Sequence, residues 1–187
     1  MLPSRNAGRC SFNDPGHAHF LTFSCFHHRQ FLAEEFARHQ LAEAISFARE
    51  RHDFALWAYV FMPNHVHLLI RPRREAYSMS HILRDIKEQP SRRVIRHWRN
   101  NTPWRLKLLQ ARQGKRLVHR FWQAGAGFDR NLHTGKWIEQ TIQYIEWNPV
   151  RRGYVVTPCD WMWSSARARN GESGVPLLID PVLVTLS

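Results

Sequence analysis

Apolar and polar positions alternate over residues 18–26, Ala-His-Phe-Leu-Thr-Phe-Ser-Cys-Phe, and the stretch is rich in aromatics. A period of two predicts a strand. From Ala33 to Arg51 the period lengthens. Phe36, Leu41, Ile45 and Phe47-Ala48 recur near 3.6 residues, with Glu34 and Glu35 early and Arg49 and Arg51 late. This is an amphipathic helix with its charges placed to suit the helix dipole. Residues 54–61 predict a second strand, Met62-Pro63-Asn64 a tight turn, and residues 65–71 a third strand, so these two strands form a hairpin. Ser78 is placed to cap a long helix running towards Asn100, which Pro90 should bend or interrupt. Residues 101–120 read as loop, and Leu117-Val118 with Phe121-Trp122 point to a fourth strand. A third helix is expected from Lys136 to Asn148, ended by Pro149.

The order β-α-β-β-α-β-α is that of an α+β, ferredoxin-like split βαβ fold with one added helix. A chain of 187 residues suits a single domain. Residues 1–16 are polar with Pro and Gly and read as a flexible arm, and residues from about 150 to 187 as a C-terminal extension. No apolar run approaches the roughly 18 residues of a membrane span, and the basic N-terminus lacks a secretory apolar stretch. A soluble, cytoplasmic protein with no membrane partner is expected. Cys10, Cys25 and Cys159 stand too far apart for a zinc knuckle and are odd in number, so unbridged thiols are expected.

Charge changes this picture. The chain carries 27 Lys+Arg against 15 Asp+Glu, a formal net charge of +12. Only Lys87, Lys107, Lys115 and Lys136 are lysines, and the other 23 cations are arginines. Residues 71–120 hold fifteen of these cations and three acids, so the entire surplus lies in one segment. Arg grips phosphate bidentately, and a clustered basic surplus is the footprint of a nucleic-acid partner. Arg92, Arg93, Arg96 and Arg99 would track a phosphate backbone. Trp98 and Trp104, interleaved with them, would either stack on bases or pack in the core.

Two places carry candidate chemistry. His65 and His67 flank Val66 on a strand, so both rings share one face. They are either two polar residues on a solvent face or a pair that holds one divalent metal. A histidine-triad hydrolase would need a third His at position 69, which is Leu69. On the third helix, Ile138, Ile142 and Ile145 mark the buried stripe, and Tyr144 and Asn148 project together from its flank. Tyr144 is either a boundary residue with a wet hydroxyl or a nucleophile, with the Asn148 amide completing a metal site. Arg151 and Arg152 follow directly and could grip a phosphate nearby.

These residues match a known family. The run 62–70, Met-Pro-Asn-His-Val-His-Leu-Leu-Ile, resembles the MPNHxHLL metal motif of single-tyrosine HUH transposases. The run 144–153, Tyr-Ile-Glu-Trp-Asn-Pro-Val-Arg-Arg-Gly, resembles their YIxxNPVRRG tyrosine segment, and Phe121-Trp122-Gln123 and residues 160–165 resemble two further signatures. Four signatures in order over residues 17–166 resemble the REP-associated tyrosine transposase branch. The stretch 123–129 is longer and richer in Gly than that pattern, and Tyr154 replaces a common Leu.

The resemblance implies an HUH endonuclease fold: an antiparallel sheet with helices on one side plus a catalytic helix. It implies a metal-dependent transposase that cleaves and rejoins single-stranded or hairpin DNA through a 5′-phosphotyrosine bond. Tyr144 would be the nucleophile, and His65, His67 and Asn148 the ligands of Mg2+ or Mn2+. Lys87, Arg92, Arg93, Arg96, Arg99, Arg151 and Arg152 would hold the DNA. A monomer or homodimer, associated with a bacterial nucleoid, is implied. A catalytically inactive DNA-binding regulator of the same fold is the alternative. Relaxases and replication initiators carry more His ligands, paired tyrosines or larger attachments than this chain has. Neutralising Arg92 and Arg93 is expected to weaken DNA binding and lower its salt slope by about 1 per lost phosphate contact. Metal binding should stay unchanged, as a salt-series binding measurement beside a metal titration would check.

Overall fold

The computed structural model describes residues 13–182. Most of the expected arm, Cys10, and residues 183–187 lie outside the described residues. Ala18–Ser24 (β1), Phe54–Phe61 (β2) and His65–Pro72 (β3) form three of the strands. Glu35–His52 (α1) and Met79–Asn101 (α2) form the two long helices. Each lies within two residues of its expected place. Ser78 caps α2, its hydroxyl accepting from the His81 N–H. Pro90 is buried inside α2 and does not interrupt it. Proline removes one backbone donor, and here its ring joins the apolar stripe of Ile82, Ile86, Val94 and Trp98.

The expected fourth strand forms at Leu117-Val118 but not at Phe121-Trp122, and it lies outside the main sheet. Gln110–Gln113 (β4) and Arg116–His119 (β5) pair only with each other, as a separate hairpin. Phe128–Leu132 (β6) completes the main sheet, in the order β2-β3-β1-β6, all antiparallel. Phe121 and Trp122 are core wedges instead. Phe121 packs on Phe31 and Trp98, and Trp122 on Phe23, with ring centroids 4.9–6.0 Å apart. The sequence Phe-Asp-Arg-Asn-Leu of β6 hid its strand because an edge strand needs little apolar alternation. The order 2-3-1-6 is the ferredoxin-like split βαβ arrangement.

Helices α1 and α2 cover one face of the sheet, over Leu21, Phe23, Leu56, Val66, Leu68 and Ile70. Gly135–Glu146 (α3) covers the other, with Ile138, Ile142 and Ile145 packed among Ala18, Trp57, Val60 and Leu69. All eight residues of β2 are therefore buried, and the strand reads as one apolar run. A bulge between Leu56 and Ala58 turns Trp57 and Ala58 to the α3 side. The expected third helix is divided. Helix α3 ends at Glu146, and Asn148–Arg151 (α4) restarts with Pro149 in its first turn, where the missing N–H has no partner to lose.

The outer edge of β2 is closed by residues 163–180, which include Ser165–Arg169 (α5). Phe61 N–H donates to the Trp163 carbonyl, Tyr59 N–H to Ser165 Oγ, and Leu56 N–H to Asp180 Oδ2. Arg169 reaches the Trp57 carbonyl and the buried Glu146 carboxylate, which also accepts from Ser165. This ties the C-terminal segment to the end of α3.

Gly127 precedes β6 at φ +90°, and a Cβ there would lie 2.3 Å from the Thr22 carbonyl oxygen. Gly114, in the β4–β5 turn at φ +60°, faces open space. Gly114→Ala should lose only the left-handed penalty of about 1–2 kcal/mol. Gly127→Ala should lose distinctly more in urea unfolding, because β6 must also move away from β1.

Candidate active site

Strand β3 alternates, so Val66, Leu68 and Ile70 enter the α1–α2 core while His65, His67 and Leu69 face the α3 side. The solvent-face reading of the pair does not hold, since His67 is 5% exposed and His65 half-buried. The two rings lie 4.8 Å apart, nearly perpendicular. Helix α3 brings the half-buried Tyr144 against His67, with centroids 5.4 Å apart, and Phe20 of β1 closes the group at 5.6 Å from His67 and 5.8 Å from Tyr144. Asn148, at the start of α4, is buried, with its amide nitrogen 3.3 Å from His67 Nε2. Residues far apart in the chain, 65–67 and 144–148, thus meet in one cluster.

Hydrogen bonds hold both rings. His65 Nδ1 lies 2.7 Å from Asn64 Oδ1, and His67 Nδ1 lies 2.8 Å from Thr22 Oγ1. Thr22 is the cross-strand partner of His67 in the β1–β3 register. Burial pushes the pKa of His65 down to about 4, aided by the charges of Arg152 and His28 and opposed by Asn148. Burial pushes that of His67 down to about 3, aided by His65 and Arg152. Both rings are therefore neutral at pH 7, the form that ligates metals.

The cluster fits a divalent cation. Two neutral imidazoles adjoin an amide whose oxygen, Asn148 Oδ1, is buried and accepts no hydrogen bond. Buried polar atoms are almost always satisfied, so this oxygen is a donor atom awaiting a partner. Among the described residues no three His, Cys, Asp or Glu converge anywhere, and the side chain next to His67 here is an amide.

The expected DNA contacts divide into two groups. Arg151 and Arg152 are exposed beside the cluster, with the Arg151 guanidinium 5.4 Å from the Tyr144 ring centre. Lys87, Arg92, Arg93, Arg96 and Arg99 lie on α2, across the sheet. Lys87 is largely engaged: its ammonium donates to the Gly125 carbonyl at 2.9 Å and sits over Phe23. Arg92 pairs with Glu88, and Arg93 with Glu43 and Gln40 of α1. Arg96 and Arg99 are exposed. Trp98 is fully buried in the core, while Trp104 is 61% exposed.

Helix α2 nevertheless leads to the right end of the molecule. Tyr77, just before it, meets His19 near the start of β1, and Lys87 meets Phe23 near its end. Further along α2, Trp98 packs on Phe121, whose carbonyl accepts from the Phe26 N–H just beyond the end of β1 where Ser24 pairs with His65. The forty residues 89–128 contain no Asp or Glu. The basic helix end and the β4–β5 hairpin thus share an end of the sheet with the histidines, on the opposite face. Phe20, Thr22 and His28 stand near the pair without belonging to any of its sequence motifs. Only strand register and loop path place them, although Thr22 stands in a legible strand. Cys25 is a buried free thiol and Cys159 a half-buried one. No helix among the described residues is long and apolar enough to cross a membrane.

Comparison with known proteins adds an independent finding. A family model described as "Transposase IS200 like" matches residues 16–148. No curated protein matches. The solved structure of a REP-associated tyrosine transposase bound to a REP hairpin is 20% identical, with a TM-score of 0.65 over 96% of this chain and 94% of that one. This establishes the shared HUH fold. A crystal structure of a Deinococcus radiodurans R1 protein, provisionally named as a transposase, is 18% identical, with a TM-score of 0.45 over 78% and 96%.

The depressed histidine pKa values carry a pH signature. A ring whose folded pKa lies below the unfolded value near 6.5 destabilises the fold as pH falls through 6.5. The loss is complete only below about 4 for His65 and about 3 for His67. In metal-free protein, the ring signals of both should show no titration above pH 5. Urea unfolding should give lower stability at pH 5 than at pH 7.

Proposed function

The chain belongs to the family of IS200-like transposases, and from that premise we propose that it cleaves and rejoins single-stranded or hairpin DNA with Tyr144 as nucleophile. The observation that carries this reading is the contact of the Tyr144 ring with the buried, neutral His67, beside the unpartnered Asn148 oxygen. A nucleophile for phosphoryl transfer needs a nearby means of neutralising phosphate charge, and the donor set adjoins the tyrosine directly.

In this reading His65, His67 and Asn148 hold Mg2+ or Mn2+. When bound, the ion supplies Lewis-acid polarisation of a non-bridging phosphate oxygen. Arg151 and Arg152 grip the flanking phosphate. The Tyr144 hydroxyl gives up its proton as its oxygen forms the bond to phosphorus. The bond from phosphorus to the 3′-oxygen breaks, and that oxygen leaves as a 3′-hydroxyl after taking up a proton. The phosphodiester is exchanged rather than hydrolysed, so a 3′-hydroxyl can reverse the step without ATP.

The DNA partner follows from charge and kinship. A REP-associated relative of the same fold binds a REP hairpin, and membership of that branch is part of the proposal. Arg96, Arg99 and the acid-free segment beyond them suit the hairpin stem, and the single-stranded flank would cross the end of the sheet to Tyr144.

The test is wild type and Tyr144→Phe incubated with labelled hairpin DNA carrying a single-stranded flank, in Mn2+ or Mg2+. Wild type should form a covalent adduct that survives denaturation, and Tyr144→Phe should lose it by at least about a thousandfold, as when a nucleophile is removed. An adduct from the mutant would exclude Tyr144. DNA binding without any adduct from wild type would identify an inactive regulator, and cutting in the presence of chelator would remove the metal.

A further inference from the structure

Each histidine of the pair commits one ring nitrogen to a neighbour with no other part in the site. An amide oxygen only accepts hydrogen bonds, so the 2.7 Å contact of His65 Nδ1 with Asn64 Oδ1 needs the proton on Nδ1. A hydroxyl can donate or accept, so the 2.8 Å contact of His67 Nδ1 with Thr22 Oγ1 leaves the direction open by itself. The far side of the ring closes the choice. The Asn148 amide nitrogen, 3.3 Å from His67 Nε2, only donates, so Nε2 is bare and Nδ1 carries the proton. A neutral imidazole has a single N–H, and both rings carry it on the same atom.

We propose that Asn64 and Thr22 are positioning residues that accept the Nδ1–H of His65 and His67 and so aim both unprotonated Nε2 atoms at the place a divalent cation would take. The proposal rests on the metal reading above and adds two residues to it. Asn64 acts within the turn, where its own carbonyl is anchored by the Cys25 N–H. Thr22 acts across the sheet, as the register partner of His67. One ring is held by a sequence neighbour and the other by a strand neighbour, so the two contacts can be removed separately. In the metal-free protein the Asn148 N–H covers the His67 lone pair that a cation would take. Partners behind metal-binding histidines commonly set metal affinity by about 10- to 100-fold.

The test reads tautomer and affinity together. Two-bond 1H–15N correlation on 15N-labelled, metal-free protein at pH 7 assigns the proton on each ring, and calorimetric titration with Mn2+ gives affinity. Wild type should show Nδ1–H on both. Thr22→Val should leave the His67 Nδ1–H without an acceptor and weaken Mn2+ binding about 10- to 100-fold, with Asn148 still holding the tautomer, and Thr22→Ser should restore the affinity. Asn64→Ala should give mixed tautomers at His65 alone and weaken Mn2+ binding likewise. An Nε2–H ring in wild type, or a Thr22→Val protein that keeps its Mn2+ affinity, overturns the proposal. The wild-type spectrum can do so without any variant having to fold. Wild type with two Nδ1–H rings and no Mn2+ binding overturns the metal reading, while upholding the tautomer assignment itself.

Discussion

The register of the first strand on the third decides where the chemistry lies. Thr22 stands opposite His67 and Ser24 opposite His65, while the alternate positions, Leu21, Phe23, Val66 and Leu68, enter the core under α1 and α2. A slip of one residue would turn β3 over, sending the histidines into that core and its apolar residues to the α3 side. Burying one such Leu or Phe is worth about 1.5–3 kcal/mol, and several act together. The histidine pair is therefore aimed by residues that never touch it. The same register supplies Thr22 as a hydrogen-bond partner for a ring that burial has stripped of water.

Much of this was legible in the sequence, for identifiable reasons. β1, β2, β3, α1 and α2 announced themselves through long runs at a single period, with Ser78 marking where α2 begins. β6 did not, because an edge strand has no need to alternate, and the apolar Phe121-Trp122 nearby carries the stronger strand pattern. Pro90 does not interrupt α2 because its ring serves as buried surface, which helix propensity alone does not register. At the site, His65, His67, Tyr144 and Asn148 were readable as motifs, but their contact was not. Thr22 was unreadable as a partner because register is a property of two strands.

The charge surplus proved less uniform than its count. Arg93 and Lys87 are engaged with the protein itself, one bridging α1 and α2, the other capping a glycine-rich loop. Arg96 and Arg99 stay exposed on the C-terminal part of α2. A basic run thus divides into cations that hold the helical layer together and cations left for a polyanion. The division follows from which helix positions face Glu43 or a loop carbonyl and which face water.

The closure of the β2 edge has a consequence for how the chain folds. Strand β2 is formed by residues 54–61, yet the groups that satisfy its outer edge arrive with residues 163–180. Over a hundred residues must follow the strand in synthesis before its last backbone donors find their partners. Until then an eight-residue apolar ribbon has one side open, the form most prone to pair with another copy. The late segment also fastens to Glu146 at the end of α3. The segment that seals the sheet edge thus also fastens the end of the helix that carries Tyr144.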